Sequence, residues 1–254
     1  MAEMAGNVLV TGGAKRIGRA IVEDLAAHGF GVAIHCNHAR KAADDLAATI
    51  NAGGGRAAVV QCDLADMADV DGLVAAAAAA LGPISLLVNN ASVFEVDSVT
   101  DFDWQVWDRH FALHVKTPAL LAKNFAAALP EGTDGLIVNM IDQRVLKPTP
   151  HYFSYSLSKA AMWAATRTMA QALAPRIRVN AIGPGPTLPS ARQDAAAFAA
   201  QLDGLILKHG PALGEFGATI RYLWQSRSIT GQMIALDGGQ HLAWQTPDVT
   251  GMVE

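Results

Sequence analysis

The sequence predicts an α/β fold: a doubly wound parallel sheet of about seven strands with helices packed on both faces. Short apolar runs alternate with helical stretches along the chain, the pattern of repeated strand–helix–strand units. Most of these runs are apolar at successive positions, as strands covered by helices on two sides must be. A length of 254 residues, 51% of them apolar, provides one large core, and no linker interrupts it, so a single domain over residues 1–254 is expected.

Taken in order, Asn7–Thr11 is the first strand, and the helix Ile17–His28 that follows it stops at Gly29. Gly31–His35 and Ala39–Asn51 repeat the pair up to Gly53, and Ala57–Cys62 and Met67–Leu81 repeat it up to Gly82. Ile84–Asn89 leads into a long helix over Trp104–Leu129 closed by Pro130, and Gly135–Ile141 leads into Ser154–Ala174 closed by Pro175. Arg176–Ile182 and Gln232–Leu236 complete the strands. Between them, the Pro/Gly-rich passage Gly183–Pro189 precedes a weakly helical stretch, Ala191–Leu207. Residues 186–210 are expected to form a flap over a site, although a plain surface loop satisfies the same composition. Right-handed crossovers leave a crevice at the carboxyl ends of the strands where strand order reverses, so function is sought just after each strand.

Composition narrows the partners. A net charge of −4 with 19 Lys+Arg scattered along the chain gives no clustered positive surface for nucleic acid. Cys36 and Cys62 are too few for a disulfide framework and lack zinc-site spacing, so they read as reduced, buried small hydrophobes, and no metal is expected. Met1–Gly6 shows no signal-peptide pattern, and the Ala75–Ala80 run is too short to span a bilayer. A cytoplasmic protein with no membrane partner is the expectation.

After the first strand, Thr11-Gly12-Gly13-Ala14-Lys15-Arg16-Ile17-Gly18 opens directly into a helix. Glycines let the backbone turn sharply and approach a pyrophosphate, while the helix N-terminus offers unpaired N–H donors and a partial positive charge. This is a dinucleotide-binding turn in the right place. An acid that would bond a ribose 2′-hydroxyl is expected about 20 residues on, but the chain reads His35-Cys36-Asn37-His38-Ala39-Arg40-Lys41. No carboxylate is there to repel a 2′-phosphate, and Arg16, Arg40 and Lys41 are cations able to pair with one, so NADPH is favoured over NADH. Arg40 and Lys41 also read simply as solvated first-turn helix residues.

Tyr155-Ser156-Leu157-Ser158-Lys159 places a phenol and an ammonium four residues apart on one helix face, where the cation makes tyrosine a usable acid or base. Together with the glycine turn, Asn89-Asn90-Ala91 after the fourth strand and Pro184-Gly185 after the sixth, the set resembles the short-chain dehydrogenase/reductase family over essentially the whole chain. The resemblance implies a Rossmann-type sheet and a homotetramer. It also implies a cofactor cleft formed by Thr11, Gly12, Lys15, Arg16, Ile17, Gly18, His35, Asn37, His38, Asp63, Leu64, Asn90, Ala91, Ser92, Lys159, Pro184 and Gly185.

Four positions narrow the resemblance to the pteridine reductase subgroup, which includes dihydromonapterin reductases. Arg16 stands where most members have Gly, Asp142 where they have Ser, Ser92 where they have Gly, and Phe94 follows two residues later. The implied substrate is a pterin such as dihydrobiopterin, dihydromonapterin or dihydrofolate, held by Arg16, Ser92, Phe94, Asp142 and Tyr155. An aromatic can hold one face of a flat pterin, and a carboxylate can accept from its N–H edge. In the subgroup the Tyr–Asp pair, here Tyr155 and Asp142, donates the proton, and the lysine, here Lys159, orients tyrosine and ribose. A negative Asp142 should keep the phenol protonated. His114 stands where the family usually has an Asn that helps order a relay water; it reads equally as a satisfied interior histidine, and His110 is expected at the surface or an interface. Two rivals stay open: reduction of a ketone, aldehyde or 3-oxoacyl group, in which Asp142 would oppose a developing alkoxide, and a non-catalytic nucleotide sensor on the same fold.

Overall fold

The computed structural model describes residues 5–190, 192–246 and 250. Met1–Met4, the head of the N-terminal stretch, and Ala191, the first residue of the expected flap helix, lie outside the described residues. Seven parallel strands run in the order β3-β2-β1-β4-β5-β6-β7: β1 Gly6–Val10, β2 Phe30–Cys36, β3 Arg56–Gln61, β4 Leu86–Asn89, β5 Gly135–Met140, β6 Ile177–Pro184 and β7 Met233–Leu236. Order reverses between β1 and β4, whose registers join Val8 to Leu86 and Val10 to Val88.

Alternation along the strands feeds two apolar layers. On one side, Val8, Val10, Val32 and Ile34 pack with Ile21, Val22 and Leu25 of α1 (Arg16–Ala27), Ala43 and Leu46 of α2 (Arg40–Ala52), and Phe216, Ile220 and Leu223 of α9 (Leu213–Gln225). On the other, Leu9, Ala33, Leu87, Ile137 and Val179 meet α3 (Met67–Asp71), α4 (Leu73–Leu81) and α6 (Thr117–Ala128) through Val70, Val74, Leu121 and Phe125. The central strands are buried on both faces, which is why their sequences read as continuous apolar runs.

Several elements differ from the sequence expectation. The helix expected over Met67–Leu81 is divided at Gly72 into α3 and α4. The long helix over Trp104–Leu129 is α5 (Trp104–Phe111), a π-helical turn at Ala112–Lys116 and α6. Wide turns of this kind recur at functional sites, and this one carries the buried His114. His110, expected at the surface or an interface, is fully buried against α7 (Phe153–Leu173), because Ser154 and a loop amide satisfy both ring nitrogens. Cys62 is half-buried at the end of β3 rather than enclosed like Cys36. Within the segment expected to form a flap the helix is α8 (Ala195–Asp203), shorter than the expected stretch. Helix α9 was not expected at all; its start is tied by Glu215, whose carboxylate accepts from the Ala212 amide at 2.6 Å.

The end of α9 is held from the sheet. Arg178 on β6 donates to the carbonyls of Leu223, Ser226 and Ile229 through Nη1 and to that of Trp224 through Nη2, satisfying groups that a helix C-terminus leaves unpaired. Arg178→Met is expected to lower unfolding free energy by about 2 kcal/mol or more, since several partly buried carbonyls lose a charged donor at once. Urea denaturation followed by circular dichroism measures this; an unchanged midpoint contradicts the clamp.

Candidate active site

The crevice at the β1/β4 reversal is built around Thr11. Its Oγ1 accepts from the amides of Asn90 and Ala91 at 2.9 and 3.0 Å, and the Asn90 side chain donates to the carbonyls of Thr11 and Gly12 at 2.8 and 3.2 Å. Gly12 has φ +62°, and a Cβ on Gly18 would sit 2.2 Å from the Gly12 carbonyl oxygen, so the turn closes only around glycine. His35 braces it from β2. The Gly12 amide donates to its Nδ1 at 3.1 Å, and its Nε2–H donates to the Cys62 carbonyl at 3.2 Å. Burial lowers the His35 pKa, which keeps the ring in the neutral form this arrangement requires.

Below the turn lies a cavity of about 450 Å³ lined by Gly12, Lys15, Arg16, Ile17, Gly18, His35, Asn37, Asp63, Leu64, Asn90, Ala91 and Ser92, with Val93 and Leu113 added. A neighbouring space of about 280 Å³ is lined by Lys15, His35, Asn37, His38 and Ala39. An elongated dinucleotide fits this pair of spaces, because the glycine cradle leaves room where any side chain would fill it and α1 begins there. Thr11 shapes the cleft from behind rather than lining it. Arg40 and Lys41 pair instead with Asp44 at 2.9 Å and Asp45 at 2.8 Å along their own helix, and Lys15 is the cation that lines both spaces. Arg16 takes a left-handed backbone, φ 53°, and its guanidinium donates to the flap carbonyls of Leu188 and Pro189 at 3.4 and 3.1 Å.

A second cavity of about 300 Å³ adjoins the first, lined by Arg16, Ser92, Phe94, Asp142, Tyr155, Lys159, Pro184 and Gly185, with Leu188, Gln193 and Phe198 of the 186–210 segment completing its wall. Helix α7 buries Tyr155 and Lys159 one turn apart on the same face. The Tyr155 hydroxyl donates to Asp142 Oδ2 at 2.8 Å, and Lys159 Nζ donates to the Met140 carbonyl at 2.9 Å. Burial first, then the Asp142 charge, pushes the Tyr155 pKa well above 10.0; Arg144 and the Ser92 hydroxyl oppose that shift. Burial pulls Lys159 down to about 8, with Asp142 working against the fall.

Sequence reasoning missed Arg144. Its Nη1 lies 3.1 Å from Asp142 Oδ2, and its backbone amide donates to Oδ1 at 2.8 Å, so the carboxylate is held on both oxygens. Its guanidinium carbon lies 5.4 and 5.3 Å from the ring centres of Phe94 and Tyr152, which stack on each other at 4.2 Å. Tyr152 thus covers one side of Phe94, and Tyr155 meets it edge-on at 4.7 Å. An arginine two residues beyond an aspartate carries no signal of its own; it becomes legible only once the aromatic pair is in place. Gln193 and Phe198, which line the same cavity, were likewise invisible, because the path that brings their segment to it is a long-range property.

A parallel sheet with a glycine turn at its order reversal and a Tyr–Lys pair facing the crevice defines a nucleotide-dependent oxidoreductase. A family model described as short chain dehydrogenase matches residues 6–199, and the chain belongs to that family. It is similar to the FolM alternative dihydrofolate reductase 1 of Brucella suis, whose structure is in complex with NADP, at 62% identity and TM-score 0.95 over 98% of this chain and 100% of that one. The Brucella canis counterpart, also complexed with NADP, is 63% identical with TM-score 0.94 over 96% and 97%. Pteridine reductase 1 of Leishmania tarentolae is 32% identical over 92% of this chain and 96% of its own length.

Gly18→Ala tests the cradle. The added methyl would meet the Gly12 carbonyl oxygen at 2.2 Å and Asn90 Nδ2 at 2.6 Å, a clash costing about 1–3 kcal/mol. The variant is expected to lose the rise in melting temperature that NADPH gives the wild type; an undiminished rise would show that the glycine is not part of the cofactor's cradle.

Proposed function

We propose that the protein is an NADPH-dependent reductase of a pterin, of the dihydrobiopterin, dihydromonapterin or dihydrofolate type. The observation that carries this is the buried Tyr155–Asp142 hydrogen bond of 2.8 Å beside Phe94, in a cavity adjoining the glycine cradle. The NADP-bound FolM structures and the pteridine reductase relative support it. The absence of an acid between His35 and Lys41, with Lys15 beside both spaces, supports the phosphorylated cofactor.

When bound, the nicotinamide supplies a hydride to a pterin ring carbon. Tyr155 supplies the proton to the adjacent ring nitrogen, and its raised pKa keeps the phenol loaded at neutral pH. Lys159 Nζ, 5.6 Å from the ring centre, offsets the negative charge on the oxygen left behind. Asp142 raises the phenol's hold on its proton and offers an acceptor to the pterin N–H edge, and Arg144 keeps that carboxylate in place. Arg16 ties the flap to the turn and lines the pocket between them. An ordinary carbonyl substrate would place its developing alkoxide beside the Asp142 carboxylate, which disfavours that reading.

Within this reading the protein is a single-domain cytoplasmic homotetramer whose 186–210 segment is the substrate flap. Family resemblance and the exposed apolar Trp104 and Leu157 on α5 and α7 support the assembly. No helix among the described residues is long and apolar enough to cross a membrane.

NADPH is expected to bind about one to two decades more tightly than NADH, the worth of a charge-assisted phosphate contact, and Lys15→Ala should narrow the gap. Equilibrium titration by nicotinamide fluorescence measures both; equal affinities would remove the cofactor assignment.

Tyr155→Phe should bind NADPH as before while turnover falls by roughly two decades or more. Asp142→Ser separates substrate classes, because it should depress kcat/KM on dihydropterins but leave unchanged or raise it on a small diketone. A wild type inert toward every pterin, paired with an Asp142→Ser protein that gained carbonyl reduction, would replace the pterin reading with the carbonyl one.

A further inference from the structure

His110 and His114 lie four residues apart, one at the end of α5 and one in the π-helical turn, with their rings stacked at 5.7 Å and 16° between planes. Opposite them on α7 stand Ser154 and Ser158, also four apart, so the two helical faces meet rung to rung. Counting protons fixes both imidazoles. Ser154 gives its hydroxyl proton to the Asp97 carboxylate, so its oxygen accepts from His110 Nδ1–H at 2.7 Å. Ser158 gives its proton to the Tyr155 carbonyl at 2.7 Å, so its oxygen accepts from His114 Nδ1–H at 2.8 Å.

Each Nε2 is therefore an acceptor, and each faces the irregular loop that follows β4. His110 Nε2 takes the Glu95 amide at 3.3 Å; His114 Nε2 takes the Ser92 hydroxyl at 2.9 Å and the Val93 amide at 3.4 Å. The loop's far end is tied by Asp97, whose carboxylate accepts the Ser154 amide and whose carbonyl accepts the Tyr152 amide at 2.9 Å. This loop delivers Ser92 and Phe94 to the substrate cavity.

We propose that His110 and His114 are positioning residues that suspend the Ser92–Asp97 loop by their Nε2 atoms, holding Phe94 and the Ser92 hydroxyl against Tyr155. The substrate role of Phe94 and Ser92 rests on the pterin reading; the suspension of the loop does not.

The device works only while both rings are neutral. Burial lowers both pKa values below 6.5. Around His110, Asp97 and Glu95 act upward and Lys159 and Arg109 downward; around His114, Lys159 and His110 both act downward, and Tyr155 packs edge-on against each ring. A histidine with a folded pKa below its unfolded value destabilises the fold as pH drops beneath that unfolded value, since the unfolded chain binds the proton first. A protonated ring also turns its Nε2 into a donor facing an N–H donor, so acid releases the loop.

Amide hydrogen exchange over residues 92–98, read by mass spectrometry on the NADPH-bound protein, tests this. Protection is expected at pH 7.5, with loss confined to this loop once the pH falls below the depressed pKa values of the two rings, after correction for intrinsic exchange. His110→Leu and His114→Leu should lose protection at pH 7.5 and raise KM for a dihydropterin at least about tenfold, with a smaller change in kcat. His110→Gln and His114→Gln, which keep an acceptor near Nε2 but cannot titrate, should restore protection at pH 7.5 and keep it at the acid pH where the wild type loses it. A loop that stays protected in the soluble Leu variants at pH 7.5, or that loses protection in the Gln variants in step with the wild type as pH falls, overturns the proposal. Inactivity toward all pterins, with the exchange pattern as expected, would instead count against the substrate reading and leave the suspension standing.

Discussion

The hydrogen bonds between Thr11 and the Asn90–Ala91 pair are the constraint on which the site depends. They join the ends of β1 and β4, the neighbouring strands between which the order reverses and the helices pass to opposite faces. With that seam fixed, the Gly12–Gly18 turn has one shape, α1 starts at one place, and Ser92 leaves β4 in one direction. Both cavities touch this seam, sharing Arg16, Ile17, Asn90 and Ser92 in their walls, so a small opening between β1 and β4 would deform the two together.

The second cavity assembles charges that the interior would otherwise exclude. Asp142, Tyr155, Lys159 and Arg144 are all wholly or largely buried, and each is held by another member or by a main-chain group. Their mutual effects run in opposite directions: Asp142 strengthens the phenol's grip on its proton and props up the Lys159 charge, while Arg144 restrains Asp142's influence on the phenol. Buried polar groups of this sort retain their protonation states only as a set, so the pocket's chemistry belongs to the group rather than to Tyr155 alone.

Much of this was legible from sequence where the determining contacts are local. The glycine turn and the i, i+4 pair of Tyr155 and Lys159 are written within single segments, and the buried strands announce themselves as apolar runs. What escaped depends on partners far along the chain. Helix α9 has a clear apolar face in Phe216, Ile220 and Leu223, but Gly214 and Gly217 weaken its helical signal. Gly217 is there because α1 crosses so closely that a Cβ would meet Asp24 at 2.4 Å, a reason found only in the packed structure. His110 reads as a polar helix position because Ser154 lies 44 residues away. The Asp142 contact with Tyr155 was legible only through family resemblance, and Arg144 not at all.

Lys159 carries a consequence for the molecule as a whole. Its pKa falls from 10.5 in the free side chain to about 8 in the fold. Below pH 8 both folded and unfolded chains carry the charge, and the fold bears the full cost of burying it; between the two values the unfolded chain holds the proton more tightly, so that cost fades as pH rises. At neutral pH the ammonium is thus a standing source of instability at the centre of the protein, retained beside Tyr155 and opposed by the apolar layers on both faces of the sheet.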